Sequence, residues 1–189
     1  MRRFRMLLSC VAPVVVLTTL APIAHAYQEI TVSDGGTISG KVVFQGAPPP
    51  MKTIIPTKDQ EVCGGIREEP QIIISEDLSL QDAVVFLKEI ERGKAWEQSA
   101  QTPELTNRKC NFVPHVQAVP AGSDIEIISA DPVLHATHGF PGKRTVFSVT
   151  LPNQGDRVKR PLKKAGIVRV ECDAHGWMLG WIYAADNPY

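Results

Sequence analysis

Cys172, His175 and Met178 follow one another at three-residue intervals in Cys172-Asp173-Ala174-His175-Gly176-Trp177-Met178. A thiolate, an imidazole and a thioether therefore come from one short stretch, directly after a run of strand character. A Cys at a strand end and a His three positions on can fold back onto one ion across a tight loop. A Met three further on can reach that ion axially. Soft sulfur combined with imidazole selects copper in a trigonal geometry of two His and one Cys, with a long axial Met. Such a site needs a second His from elsewhere. Residues 131–138 offer His135 and His138, in what reads as a loop after a strand at 124–128. His135 is favoured because it follows the apolar pair Val133-Leu134, which can anchor it in the core. His138 precedes Gly139 and Pro141, where the chain is expected to turn, and reads as a support or surface residue. His115, in Val113-Pro114-His115-Val116, reads as a structural or supporting His on a strand.

Each of these residues has a plainer explanation. A lone Cys is usually a small buried apolar residue, and Met178 competes as a core residue because an axial thioether bond is weak. The spacing of all three favours ligation. Trp177, inside the loop, reads as a shield for the metal or part of a docking face, and Trp181 as a core aromatic.

The Cys-x-x-His-x-x-Met spacing resembles the ligand loop of cupredoxins, and of amicyanin more than the longer loops of plastocyanin or azurin. Trp177 just before the Met and Gly180 two after it fit the same pattern. So do the approach strand at 166–172 and the two-residue gap between His135 and His138. The resemblance covers about residues 110–185. The wider combination is similar to exported plastocyanin-like proteins labelled methylamine-utilisation proteins, a label that names no substrate. The resemblance implies an all-β, Greek-key cupredoxin-like sandwich. It also implies one type 1 copper ion held by His135, Cys172, His175 and Met178. The activity it implies is single-electron transfer between periplasmic redox protein partners, with the His175 edge as the electron exit. The alternative is a periplasmic copper carrier, storage or copper-resistance protein, which the additional His115 and His138 would suit. Departures from the pattern are Ala136, where an Asn usually follows the first His, and Asp173, where a hydroxyl residue often follows the Cys. Val168 and Val170 stand where aromatics are common.

Enzymatic copper chemistry fits poorly. There is no His-x-His pair of the kind multicopper oxidases use, and no second Cys in the 172–178 loop for a binuclear centre. Structural zinc would want a stronger fourth ligand than Met.

The elements that must position these residues read as strands. Residues 37–44, 52–55 and 71–74 are candidates, and 82–87 is a denser apolar run expected to be buried on both faces. Residues 89–108 read as a polar loop with a possible helical turn at 95–97. Residues 112–119 read as a strand, 120–123 as a turn and 124–128 as the partner strand. Residues 145–151 and 167–171 alternate, and 181–183 closes the chain. Short strands with hardly a helix indicate an antiparallel sandwich or barrel. The strands before residue 106 either complete that sandwich or form a small extra β-domain. Residues 40–50 bear a short resemblance to the openings of carboxypeptidase-regulatory-like β-domains.

Residues 1–26 read as a secretory signal peptide: Arg2, Arg3 and Arg5, an apolar run to about Ile23, then Ala24-His25-Ala26 before Tyr27. A membrane anchor fits less well, because Pro13 and Pro22 interrupt the run and a cleavage site ends it. A lipoprotein attachment at Cys10 fits worse, since the apolar region follows it. Location is therefore expected to be periplasmic or secreted, without stable membrane insertion. The expected division is 1–26 signal, 27–105 a β-rich region, and 106–189 the copper-binding domain. Removing the signal takes away three Arg and no acids, so 20 − 20 becomes 17 − 20, a charge of −3. That argues against nucleic acid as the main partner, and the chain is expected to be a monomer. Eight basic residues against Asp156 alone lie between Lys143 and Arg169; such a run is a solvated face or steers an acidic redox partner. Past the signal, Cys63, Cys110 and Cys172 remain. In an exported protein an odd count suggests one pair and one working thiol. Cys63–Cys110 is the expected pair, with three unpaired cysteines as the alternative.

Overall fold

The computed structural model describes residues 27–97 and 102–189; the expected signal peptide lies outside them. The first part carries little regular structure. β1 (Gln28–Glu29) pairs with β4 (Arg92–Gly93). β2 (Lys52–Ile54) pairs with β3 (Arg67–Glu69) across the single helical turn α1 (Gln60–Cys63). Neither small sheet joins the larger sheets that follow. The N-terminal residues instead lie against the rest through particular contacts. Phe86 packs on Tyr183 with ring centroids 4.5 Å apart, Leu87 N–H donates to the Tyr189 carbonyl, and Cys63 is disulfide-bonded to Cys110.

From residue 104 onward the chain builds two facing sheets. Its strands are β5 (Glu104–Arg108), β6 (Asn111–Val113), β7 (Val116–Pro120), β8 (Asp124–Ser129), β9 (His135–Phe140), β10 (Phe147–Leu151), β11 (Arg157–Pro161), β12 (Gly166–Cys172) and β13 (Leu179–Ala185). One sheet has the order β10-β9-β12-β13-β7, the other β11-β8-β5-β6. The chain crosses between sheets repeatedly, in the Greek-key manner, and the described residues form the all-β sandwich expected. β5 straddles the 105/106 division, so Glu104 and Leu105 belong to a sheet of the sandwich.

Alternation builds the core. Phe147, Val149 and Leu151 point inward from β10, Val168, Val170 and Cys172 from β12, and Ile125 and Ile127 from β8. Glycines allow close approach at two places. A Cβ on Gly139 would run into the Phe147 ring, and one on Gly180 would sit 3.1 Å from Phe112 Cβ.

Several expectations are corrected. Residues 37–44 and 71–74 form single bridges only, Val43 with Ser79 and Ile74 with Leu80. Residues 82–87 form no strand and are exposed, Val85 at 76%. An apolar run marks a strand only when a neighbour takes its backbone groups, and here no sheet edge does. No helical turn forms at 95–97, while part of the supposed loop is strand β5. The run at 112–119 breaks at Pro114, which has no N–H to give a ladder; β6 lies in one sheet and β7 in the other. β8 is not the hairpin partner of β7. It pairs with β11 and β5 across the sandwich. β7 is parallel to β13, and β5 to β8, so the sandwich is mixed rather than purely antiparallel.

Candidate metal centre

The site forms where β9 begins and β12 ends. His135 opens β9 as its first strand residue, rather than lying in a loop. β9 and β12 are antiparallel neighbours, with Cys172 opposite Thr137, so the sheet itself brings the upstream His beside the Cys. Val133 is half-buried against the core as expected, but Leu134 is 45% exposed and does not anchor it. After Cys172 the chain turns tightly. His175 N–H donates to the Cys172 carbonyl at 3.1 Å, and Met178 N–H donates to the His175 carbonyl at 2.9 Å.

These turns bring three donors together. Cys172 Sγ lies 3.8 Å from His135 Nδ1 and 3.6 Å from His175 Nδ1. One ligand atom from each of the three falls within 4.8 Å of the others. His135 and His175 are 0% exposed and Cys172 is 1% exposed. An ion with bonds of about 2.0–2.3 Å to nitrogen and sulfur subtends N···S separations of roughly 3.6–3.8 Å at tetrahedral to trigonal angles, so the donor set fits a metal. Met178 is buried in the same core cluster as Cys172, four residues before the middle of β13.

Each imidazole is held from behind by a carboxylate. His135 Nε2 is 2.9 Å from Asp131 Oδ2, and His175 Nε2 is 2.9 Å from Asp59 Oδ2. An ionised carboxylate only accepts, so each Nε2–H donates and each Nδ1 lone pair is left facing Cys172. Asp131 in turn accepts Lys109 N–H at 2.7 Å and Cys110 N–H at 3.0 Å. Ala136 N–H donates to Cys172 Sγ at 3.4 Å. Burial pushes the Cys172 thiol up, against the backbone N–H groups of Ala136, Ala174 and His175 that favour its thiolate. Burial pushes His135 down, against the hydrogen bond to Asp131. Without metal the site is thus a neutral thiol beside a neutral imidazole.

The departures at 136 and 173 are compensated locally. Asp173 N–H donates to the Ala136 carbonyl at 2.9 Å, joining the two ligand segments through the backbone. The Asp173 carboxylate lies 3.3 Å from His138 Nδ1, and His138 Nε2 lies 2.8 Å from Thr145 Oγ1. His138 is therefore a half-buried neighbour of the site, on β9 rather than at a mobile turn. His115 is exposed between β6 and β7 and belongs to no ligand group among the described residues. Trp177 is half-buried with its ring 5.1 Å from that of His175. His175, whose edge was expected as the electron exit, is 0% exposed, with Asp59 over its Nε2.

Asp59 and Asp131 are absent from the expected site. Asp131 carried a signal, four residues before His135 in the 131–138 segment. Asp59 lies 116 residues from His175 in a stretch without strand or motif character, and nothing local points to it.

No protein-family model matches the sequence, and no curated protein matches it. Among solved structures, the chain is similar over 53% of its length to a Cu-containing nitrite reductase from Thermus scotoductus SA-01, at 21% identity and a TM-score of 0.41, spanning a quarter (25%) of that chain. It is similar over 44% of its length to a purple cupredoxin from Nitrosopumilus maritimus, at 19% identity and a TM-score of 0.39, covering 99% of that chain. Amicyanin from Paracoccus versutus overlaps 47% of this chain and 86% of its own, at 13% identity and a TM-score of 0.41.

Proposed function

We propose that this protein is an exported blue-copper electron carrier that passes single electrons between redox proteins and catalyses no substrate chemistry. His135, Cys172 and His175, with Met178 as the fourth residue, would hold one type 1 copper ion. The observation that carries this reading is the convergence of two Nδ1 atoms and one Sγ, all buried, from segments brought together by the β9–β12 pairing. Bound there, copper supplies a one-electron couple.

The chain's own residues do the rest. The sheet fixes the positions of His135 and Cys172, so the donor set needs little rearrangement between oxidation states. Asp131 and Asp59 fix the ring orientations. The core around Cys172, Val170 and Met178 keeps water from the thiolate. Trp177, beside His175, lies between the buried ring and a surface cleft lined by Ile54, Ile55 and Thr57, and marks the exit route in place of the His175 edge.

The partner we propose is an acidic redox protein, met by a monomer in the periplasm or outside the cell. Lys143, Arg144, Lys159, Lys163 and Lys164 are exposed and form no ion pair among the described residues, whereas Arg157 pairs with Glu104 and Glu126. A cleft of about 350 Å³ is lined by Arg144, Lys163 and Lys164. Among the described residues no helix is long and apolar enough to cross a membrane.

Copper carriage or storage is the competing role, and the burial of all three donors favours electron transfer over it. Voltammetry of the copper-loaded protein tests the choice. A reversible one-electron couple with one copper per chain supports the carrier of electrons. An irreversible couple, with copper passing within seconds to a chelator in solution, supports the carrier of copper.

A further inference from the structure

The two carboxylates behind the ligand imidazoles have different origins. Asp131 is local to His135. Asp59 arrives from the N-terminal region, on a left-handed backbone of φ 53° and ψ 35°, a conformation that Asp and Asn tolerate better than most residues. The Asp59 carbonyl accepts N–H bonds from Val62 at 3.0 Å and Cys63 at 2.8 Å, which closes the turn α1. Cys63 on that turn is disulfide-bonded to Cys110. Cys110 N–H in turn donates to Asp131. One covalent bridge therefore joins the turn that carries Asp59 to the backbone that holds Asp131. The bridge itself abuts the centre: both its sulfurs lie within 4.8 Å of a His175 ring nitrogen, and Cys110 Sγ lies equally close to His135 and Asp131.

We infer that Asp59 is a positioning residue of the copper centre, and that the Cys63–Cys110 bridge holds Asp59 and Asp131 as a pair of carboxylates, one behind each ligand imidazole. This rests on the copper reading above. A carboxylate that accepts Nε2–H locks the ring in one tautomer, keeps the Nδ1 lone pair on the metal side and makes the imidazole a stronger donor. A stronger donor favours Cu(II) over Cu(I), so the contact lowers the reduction potential. The same contact covers Nε2, and with Trp177, His135 and the bridge packed around the ring His175 is 0% exposed although it sits in a short loop.

Asp59→Asn tests this, because Asn keeps the size and the tolerance of left-handed backbone while removing the charge. Two readouts are needed. In the metal-free protein, nitrogen NMR of the His175 ring should show a single Nε2–H tautomer with slow proton exchange in the wild type, and mixed tautomers or faster exchange in D59N. In the copper-loaded protein, D59N should keep the visible thiolate–copper band and show a higher reduction potential than the wild type. Cys63→Ser with Cys110→Ser should reproduce both changes. A D59N protein with unchanged tautomer, exchange and potential overturns the role of Asp59. A double Ser variant that folds and matches the wild type in both readouts overturns the role of the bridge. A wild type without the visible band overturns the copper reading itself, which keeps that failure separate from the other two.

Discussion

At the scale of residues, the convergence of Cys172 and His175 was legible because it is written in spacing. Cys172, His175 and Met178 lie within one turn-forming stretch, and the structure places Cys172 and His175 with Nδ1 3.6 Å from Sγ. The upstream His was legible in type but misplaced in context: His135 begins a strand, and what fixes it is β9–β12 pairing and Asp131, not the exposed Leu134. Asp59 was illegible, since no local pattern records a contact made across 116 residues. Two predictions belong here. His135→Ala should abolish the intense visible band of the Cu(II) protein, with partial recovery on adding imidazole. His138→Ala should keep it, because His138 touches Asp173 and Thr145 rather than the donor set; reversed results in absorption spectra would transfer the ligand role to His138. The second concerns protons. Burial raises the Cys172 thiol above its ordinary value and lowers His135. At neutral pH the metal-free site therefore carries a proton on sulfur and none to lose from His135. Metal binding requires the thiolate, so uptake should release about one proton per ion, and affinity should rise about tenfold per pH unit until the thiol titrates. Calorimetry in buffers of different ionisation enthalpy measures this, and zero release would mean that the sulfur is not a ligand.

Elements were legible where alternation coincides with a two-sided sandwich. β10 and β12 were expected because their inward residues recur every second position. The failures share one cause: the sequence shows apolar character but not which backbone edge is free to pair. Residues 82–87 have the composition of a buried strand and no neighbour. β5 has mixed composition, yet Leu105, Thr106 and Asn107 are buried because β8 and β6 flank them. Asn107 explains its own burial: Nδ2–H donates to the Ile128 carbonyl, and Oδ1 accepts the Thr137 hydroxyl at 3.1 Å, which links this strand to β9 two residues from His135. Ile182→Ala, in the fully buried middle of β13, should destabilise the protein by roughly 2–5 kcal/mol in denaturant unfolding. Gly139→Ala should also destabilise, since its Cβ meets the Phe147 ring; unchanged stability there would mean that β9 and β10 can shift apart without cost. Removing the Cys63–Cys110 bridge should cost on the order of 3–4 kcal/mol in the chain-entropy model, and thiol titration of the denatured, unreduced protein lacking residues 1–26 should find Cys172 as the one reactive thiol.

For the molecule as a whole, the described residues 27–97 neither join the two large sheets nor add a third. They lie over it at the metal end through Cys63 and Asp59, and elsewhere through Leu87, Phe86 and Lys94 against Tyr183, Asn187 and Tyr189. That arrangement changes where a partner can approach, because the His175 ring is covered while Trp177 borders a surface cleft; the basic cleft lies at the other end of β12, beside Gly166. If an acidic partner docks on Lys163 and Lys164, electron exchange should slow steeply with ionic strength, and Lys163→Glu with Lys164→Glu should slow it by about tenfold at low salt. Stopped-flow exchange with an acidic redox protein measures both effects, and a salt-independent rate would remove the basic face from the account. The central claim is that Cys172 binds copper as a thiolate between two buried imidazoles. The optical spectrum of the protein loaded with one Cu(II) tests it most directly. An intense visible thiolate-to-copper band, lost in Cys172→Ser with the fold retained, is the predicted result; a Cu(II) complex of the wild-type protein without that band contradicts it.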